Sequence, residues 1–331
     1  MEKTITFKGE TIKTKHWKEL SEKEYQQLKN DYYKKPTLKE VRNEVSGIFL
    51  NGNVSMPKIN NYFFKDLYSK VKMYHSKWSI SDVFESKELM EFFNSKISDN
   101  EDVYPKTNSK IKNIETVFRL GGKGVASKPS NFKLDKTIDI IKKYNVNNNY
   151  YDPSCGWGVR MVGSLACGIN YYGTDPNYKL TERLKELSFM FRDIDLFAPE
   201  VDIWTQGSEI YIPELENKIG LVFTSPPYFF LEDYRIGEQS TKKYPKYKDW
   251  LEKYLRKTLE NCYRYMIKGG HILININDYD KYKLGQDTEK LLQEVGFKLV
   301  GYEDFDNIKR ISSKKELNNN GEIIYVYQKK L

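Results

Sequence analysis

Residues 221–228 read Leu-Val-Phe-Thr-Ser-Pro-Pro-Tyr, a short apolar run that stops at two prolines set between a hydroxyl side chain and an aromatic ring. Proline fixes φ near about −65° and donates nothing to a β-ladder, so a strand through Thr224 must end there with rigidly placed carbonyls. Such a corner suits a flat substrate carrying an amino group. Ser225 and the Pro226 carbonyl can accept its N–H bonds while the Tyr228 ring lies on its face, as aromatic side chains do with unpaired bases. An ordinary strand-ending turn could carry the same tetrapeptide, and a second stretch upstream tips the balance. Tyr150-Tyr151-Asp152-Pro153-Ser154-Cys155-Gly156-Trp157-Gly158 runs from a strand ending in an acid, through a glycine turn, into the helix-like 159–166. That order brings backbone close to a ligand and offers it a carboxylate. One helix and one strand further on, Asn170-Tyr171-Tyr172-Gly173-Thr174 leads to a second acid, Asp175, where a nucleotide-type ribose is commonly held. Together these residues describe an adenosine-containing cofactor on a doubly wound sheet.

The same residues resemble the S-adenosylmethionine-dependent DNA methyltransferases that modify exocyclic amino groups. Asp152 to Gly158 match their cofactor motif, Asp175 their ribose-binding acid, and Ser225-Pro226-Pro227-Tyr228 their catalytic corner, (Ser/Asn/Asp)-Pro-Pro-(Tyr/Phe). Serine in the first position looks more like the N4-cytosine branch, whereas Asp or Asn is usual for N6-adenine. The resemblance spans roughly residues 105–331. It implies S-adenosyl-L-methionine as cofactor, double-stranded DNA as partner with room for a cognate restriction nuclease, and a Rossmann-like class I methyltransferase sheet with helices on both faces. It also implies a cofactor set of Asp152, Pro153, Ser154, Cys155, Gly156, Gly158, Thr224 and Asp175. Lys128-Pro129, ahead of a helix over 135–144, resembles the Lys-Pro element beside the cofactor's methionine end, which adds Lys128; a DNA-phosphate loop or an inert surface loop are the competing readings of that segment.

The elements that must position these residues are legible in part. A length of 331 residues permits one large α/β domain and a smaller accessory one. No run approaches the ~18 apolar residues of a membrane span and Met1-Glu2-Lys3-Thr4 opens no apolar signal region, so an intracellular, cytoplasmic protein is expected. Cys155, Cys167 and Cys262 have neither zinc nor disulfide spacing, no metal is expected, and none follows a proline as the cytosine-C5 nucleophile does. Glycines 121, 122 and 124 fail the phosphate-loop pattern, which argues against ATP hydrolysis.

Net charge is +8, with 28 basic against 19 acidic residues in 1–144 and 26 against 27 in the remainder. A near-neutral catalytic part beside a basic N-terminal part is the balance expected if phosphate contacts come from the latter. Lys110, Lys112, Arg119 and Lys123, in the densest basic stretch, are the nucleic-acid candidates; an A/T-rich genome would supply many lysines without any binding role.

Along the chain, Ile5-Thr6-Phe7 and Thr11-Ile12-Lys13 read as a hairpin, and Ser21 with Glu24 as a capping box opening a helix to about Lys34. Helices are expected over 37–49, 62–77 (with Phe63, Leu67, Val71 and Tyr74 on one face) and 81–96. These define a mainly helical module, 1–104, expected to recognise the target, with a linker over 98–109 and the methyltransferase domain over 105–331. Residues 229–247 read as a lid loop, 249–266 as a helix closed by Lys268-Gly269-Gly270, 271–278 as a strand, and 297–305 with 322–328 as a final antiparallel hairpin. Rival functions are an RNA guanine-N2 or protein-glutamine methyltransferase, which use related corners, and a non-catalytic nucleic-acid-binding protein of the same fold.

Overall fold

The computed structural model describes residues 2–15, 17–99, 110–119, 124–195, 197–278, 280–304, 310–311 and 323–330. Contacts divide the chain into two compact units. The larger comprises Leu38–Phe63, Asn131–Phe230 and Gly237–Leu331, and the smaller Met1–Thr37, Phe64–Ser130 and Leu231–Ile236.

The larger unit is built on a sheet with strands β1 (Asn149–Asp152), β2 (Asn170–Thr174), β3 (Val201–Trp204), β4 (Ile219–Thr224), β5 (Met266–Asn275), β6 (Phe297–Asp304) and β7 (Ile323–Lys329). Its order is β6-β7-β5-β4-β1-β2-β3, with a two-residue strand, Arg310–Ile311, outside β6. The strands from β3 across to β5 are parallel, and β7 runs antiparallel between β5 and β6. This is the expected Rossmann-like class I methyltransferase sheet, including its antiparallel final pair. All six residues of β4 are buried, the pattern of a central parallel strand covered on both faces. Helices of this unit are amphipathic for the same reason. Leu134–Tyr144 buries Leu134, Ile140 and Ile141, and Leu284–Val295 buries Leu291 and Leu292. One core gathers Tyr151, Val222, Ile272, Leu259, Leu291 and Tyr327.

The smaller unit holds the hairpin Lys3–Phe7/Glu10–Thr14, paired Ile5 to Ile12, and the helix Glu22–Tyr33, whose Ser21–Glu24 capping box is present in both directions. Trp78, buried, donates its indole N–H to the Phe7 carbonyl at 2.9 Å. The basic stretch contributes a helix here, Lys110–Arg119, with Ile114, Val117 and Phe118 in the core.

Several expected elements take a different form. The helix over 62–77 is instead two short helices, Pro57–Phe63 and Lys65–Tyr68, followed by the strand Lys72–Met73. Phe63, Leu67 and Val71 are buried as the helical face required, but Tyr74 is exposed, because Lys72–Met73 pairs with Glu232–Asp233 from far along the chain. The helix over 81–96 breaks at Ser86 into Ile80–Glu85 and Lys87–Asp99, with the Ser86 hydroxyl accepting from Leu89 N–H. Residues 229–247 are not a bare loop: they include Glu232–Asp233 and the helical turn Ser240–Lys243. Lys268-Gly269-Gly270 does not close the preceding helix but lies within β5, where the register against β4 shifts between Ile219 and Leu221. Most of the expected linker, 100–109, lies outside the described residues. Residues 38–63 pack with the larger unit and 110–130 with the smaller, so the division by contacts is not contiguous in sequence.

Candidate active site

The chain winds outward through β1, β2 and β3, then returns to lay β4 on the other side of β1. In open α/β sheets the ligand crevice lies outside the carboxyl ends of the strands at such a reversal. Asp152 and Thr224 end the two strands that flank it, and Thr224 Oγ1 donates to Asp152 Oδ1 at 3.1 Å.

Asp152 is wholly buried, and its oxygens are occupied by donors of the protein itself. Arg160 binds both, with Nε at 2.8 Å and Nη2 at 3.2 Å; the Tyr171 hydroxyl donates at 3.1 Å and the Ser154 N–H at 3.2 Å. A carboxylate deep in a fold needs this company, since its desolvation is otherwise unrepaid. Arg160 also donates to the Ser154 carbonyl and lies 4.8 Å over the Phe132 ring. Asp152 therefore sets the shape of the 153–158 loop through an arginine that the motif reading missed. The available signal was one charged residue in the otherwise apolar Val159–Ala166 helix, which had to find a buried partner.

The remaining loop residues divide into packing and presentation. Cys155 is buried, burial raises its pKa, and its thiol donates to the Thr174 carbonyl, as a packing residue does and a nucleophile does not. A Cβ on Gly173 would meet Cys155 Sγ at 2.6 Å, so β2 approaches the loop only because that position is glycine. The Pro153 carbonyl accepts the Thr174 hydroxyl. Gly158 caps the helix Val159–Ala166 at φ 75° with no side-chain cap, leaving the first amides and the positive end of the helix to a ligand.

Asp175 follows β2 and accepts from Asn177 N–H at 2.9 Å and from the Gly156 backbone. Although part of its surface remains accessible, its carboxyl is shielded, and burial, reinforced by the charge of Asp152, raises its pKa from 3.8 to about 7 against the pull of these N–H groups and Arg160. Tyr254 shares hydrogen bonds with the Ser154 and Ser208 side chains and feels the charges of both Asp175 and Glu209. Glu209 Oε1 accepts from Lys243 at 2.7 Å, while Oε2 is buried with no hydrogen-bond partner. Glu209 and Tyr254, absent from the motif reading, come from a loop and a helix that only the fold brings to this side of the sheet. The site thus presents a desolvated carboxylate, an unsatisfied carboxylate oxygen and uncapped helix amides, a set that fits an adenosine ligand bearing hydroxyl and amino donors.

At the corner, Ser225, Pro227 and Tyr228 are half-buried and Pro226 is buried. The Tyr228 hydroxyl lies 3.5 Å from Oδ1 of Asn275, at the end of β5. Phe229 adopts φ 51°, a left-handed conformation that a residue with a side chain keeps only under outside constraint. The constraint is aromatic: its buried ring packs on Tyr282 at 5.0 Å, Tyr247 at 5.3 Å and Trp250 at 5.6 Å between centroids. Phe229 is therefore a structural wedge that turns the chain out of Tyr228, and Phe230 is the exposed member of the pair.

The remaining expected site residues belong to the smaller unit or fall outside the described residues. Lys128 belongs to the smaller unit, its Nζ 4.6 Å over the Tyr68 ring. Lys110, Lys112 and Arg119 lie on the helix Lys110–Arg119, and Lys123 is outside the described residues. No helix among the described residues is long and apolar enough to cross a membrane.

Residues 219–331 match a family model for DNA methylase of the N6/N4 methyltransferase type. No curated protein matches the chain. Among solved structures it is similar to a TehB-like SAM-dependent methyltransferase from Corynebacterium glutamicum, at 15% identity over 59% of this chain and 88% of that one with a TM-score of 0.40. A S-adenosylmethionine-dependent methyltransferase from Clostridium acetobutylicum gives 14% identity over 60% and 91% with a TM-score of 0.40. A SAM-dependent O-methyltransferase from Thermotoga maritima gives 11% over 62% and 68% with a TM-score of 0.39. The resemblance to the DNA amino-methyltransferases is thus supported over residues 219–331, the stretch that holds Ser225-Pro226-Pro227-Tyr228 and matches the DNA methylase model.

Proposed function

We propose that the protein is a site-specific DNA methyltransferase that modifies the exocyclic amino group of a base turned out of the duplex, N4 of cytosine ahead of N6 of adenine. The observation that carries this reading is the placement of Ser225-Pro226-Pro227-Tyr228 at the carboxyl end of β4, tied to the cofactor loop through the Thr224–Asp152 hydrogen bond. When bound, S-adenosyl-L-methionine supplies an electrophilic methyl group.

The chain's own part is positioning. Asp175 would accept the ribose hydroxyls, Glu209 Oε2 an amino donor, and the amides after Gly158 the charged end. An exocyclic amine is a weak nucleophile because its lone pair is delocalised into the ring. Ser225 and the Pro226 carbonyl would hold its hydrogens so that the nitrogen becomes tetrahedral and directs its lone pair at the methyl, catalysis by geometry and fixed dipoles without a covalent enzyme intermediate. A base inside a duplex cannot reach the corner, and Tyr228 would offset part of the unstacking cost of a few kcal/mol. Target recognition is assigned to the module of residues 1–104, and phosphate contacts to Lys110, Lys112, Arg119 and Lys123.

Incubation with labelled S-adenosyl-L-methionine and mixed-sequence DNA, followed by mass spectrometry of the nucleosides, tests the reading: N4-methylcytosine is expected. Label transferred only to RNA or to a protein amide would replace it with one of the rival substrates.

A further inference from the structure

Asp175 stands in the loop after β2 and Glu209 in the loop after β3, and a single later segment of the same unit, residues 237–244, reaches both loops. At its start Gly237 adopts φ 69° and comes so near Asn177 that a Cβ would stand 3.1 Å from the Asn177 Cα. Asn177 is the residue whose N–H donates to Asp175. At its end Lys243 Nζ donates to Glu209 Oε1 at 2.7 Å, and the Tyr244 hydroxyl lies 3.5 Å from the same oxygen. Between them Gln239 and Thr241 are buried, and the Ser240 hydroxyl accepts the Trp250 indole N–H at 2.9 Å. The segment thus runs from the loop after β2 to the loop after β3, past the carboxyl ends of strands where an open α/β fold binds its ligand.

The acid at its far end is held through one oxygen. Ser208, just before Glu209, is fixed by the helix Arg256–Tyr265: its hydroxyl lies 2.8 Å from Thr258 Oγ1, and its carbonyl accepts from Asn261 Nδ2 at 3.0 Å. These contacts place the backbone and leave the carboxylate to find its own partners. Glu209 Oε2 lies against Gly207, where a Cβ would stand 2.1 Å from it, and it is buried with no hydrogen-bond partner. Burying a carboxylate with one oxygen unsatisfied is costly, and a cation on the other oxygen offsets part of that cost. Lys243 supplies the cation while its own side chain stays half-exposed.

We propose that Lys243 is a positioning residue for the cofactor: by pairing with Glu209 Oε1 it aims Oε2 at an amino donor of the bound adenosine and fastens residues 237–244 across the crevice, so that the cofactor leaves slowly. The inference rests on the cofactor reading of this crevice, and its test separates the two. Dissociation of S-adenosylhomocysteine is followed by stopped-flow displacement in wild type, Lys243→Met, Lys243→Arg, Glu209→Gln and the double variant Lys243→Met/Glu209→Gln, together with amide hydrogen exchange of residues 237–244 with and without ligand. Lys243→Met should release the ligand roughly fivefold to thirtyfold faster, the effect of a charge-assisted hydrogen bond discounted for the exposure of the lysine, with association within about twofold of wild type. Lys243→Arg keeps the cation and should recover most of the loss. On the Glu209→Gln background the methionine should add less than about twofold, because a residue acting through another has nothing left to act on. Ligand should slow exchange of the Lys243 and Tyr244 amides, which donate to the Gln239 and Ser240 carbonyls, in wild type and much less in Lys243→Met.

Unchanged dissociation in Lys243→Met overturns the proposal. So does an equal loss on both backgrounds, which would make the effect of the lysine independent of Glu209. Ligand-dependent protection of 237–244 that survives Lys243→Met unaltered overturns it as well, since the segment would be fastened by other contacts. A wild type that binds neither S-adenosylmethionine nor S-adenosylhomocysteine removes the cofactor reading itself, and the proposal with it, an outcome distinct from a wild type that binds and a variant that binds equally well.

Discussion

Cofactor affinity should depend on pH through Asp175, and the site fixes both sign and size. Burial and the neighbouring Asp152 raise this carboxyl from 3.8 to about 7 in the cofactor-free protein. A ribose hydroxyl donates hydrogen bonds, so it favours the ionised carboxylate, and binding must first remove the proton wherever one is present. At pH 6 roughly a tenth of the molecules are ionised and at pH 8 roughly nine tenths, so affinity should rise about tenfold between them, approach one decade per pH unit below 6, and level off above 8. The stability linkage has the opposite sign. A carboxyl raised on folding stabilises the native state most below its unfolded value, and that contribution is lost as pH rises from about 4 to about 7. Isothermal titration with S-adenosylhomocysteine from pH 5.5 to 8.5, on wild type and Asp175→Asn, separates Asp175 from titration of the ligand itself. The variant should bind more weakly at pH 8 by roughly tenfold to a hundredfold, the worth of a hydrogen bond to a charged group, and its profile should be flat by comparison. Parallel profiles for the two proteins would refute the argument, as would an affinity for wild type that falls with rising pH.

Tyr228→Ala should leave cofactor affinity within about twofold and remove roughly 1–3 kcal/mol of base stacking, seen as a tenfold to hundredfold loss of turnover on duplex DNA; full activity would make the ring structural only. Arg160→Met strands Asp152 as a buried charge and should cost roughly 3–5 kcal/mol in chemical denaturation, with part regained on adding Asp152→Asn; a loss of under about 1 kcal/mol would mean that water reaches the pair. Replacing Lys110, Lys112 and Lys123 together by Gln should flatten the log–log salt dependence of DNA binding by roughly two to three units and weaken specific and non-specific DNA alike, measured by fluorescence anisotropy. An unchanged slope would place the phosphate contacts elsewhere.

Features written by local rules were legible in the sequence. Ser21 and Glu24 cap a helix because the side chains and amides involved are three residues apart and need nothing else. The apolar run from Leu221 to the prolines read as a strand, and the acids at 152 and 175 mark strand ends at a spacing that one parallel crossover sets. Features written by distant partners were not legible. A helix through 62–77 satisfies every local preference, yet Lys72–Met73 pairs with Glu232–Asp233, and those ladder bonds outweigh the propensity that favoured continuation. Residues 229–247 looked like a lid for the same reason, since the pairing partner of Glu232–Asp233 lies in a part of the chain that no nearby pattern indicates.

The site divides along the same line, and the division has a chemical meaning. The motif residues were found as types at a spacing, but their roles were not. Asp152 reads as a ligand-facing acid and is instead saturated by Arg160, Tyr171, Thr224 and Ser154, whereas Glu209, which no motif marked, retains a buried oxygen without a partner. Which acid is spent on the protein and which is left for a ligand depends on where Arg160 and Lys243 reach, and that is a property of packing. Asp175 stands between these cases. Two backbone amides steady its carboxylate without neutralising it, and burial leaves it poised near neutral pH. An acid so placed is costly to the free protein when ionised and is relieved by a ligand carrying hydroxyl donors, which is why the pH profile of binding, more than loss of activity in any variant, distinguishes a cofactor site from a retained fold.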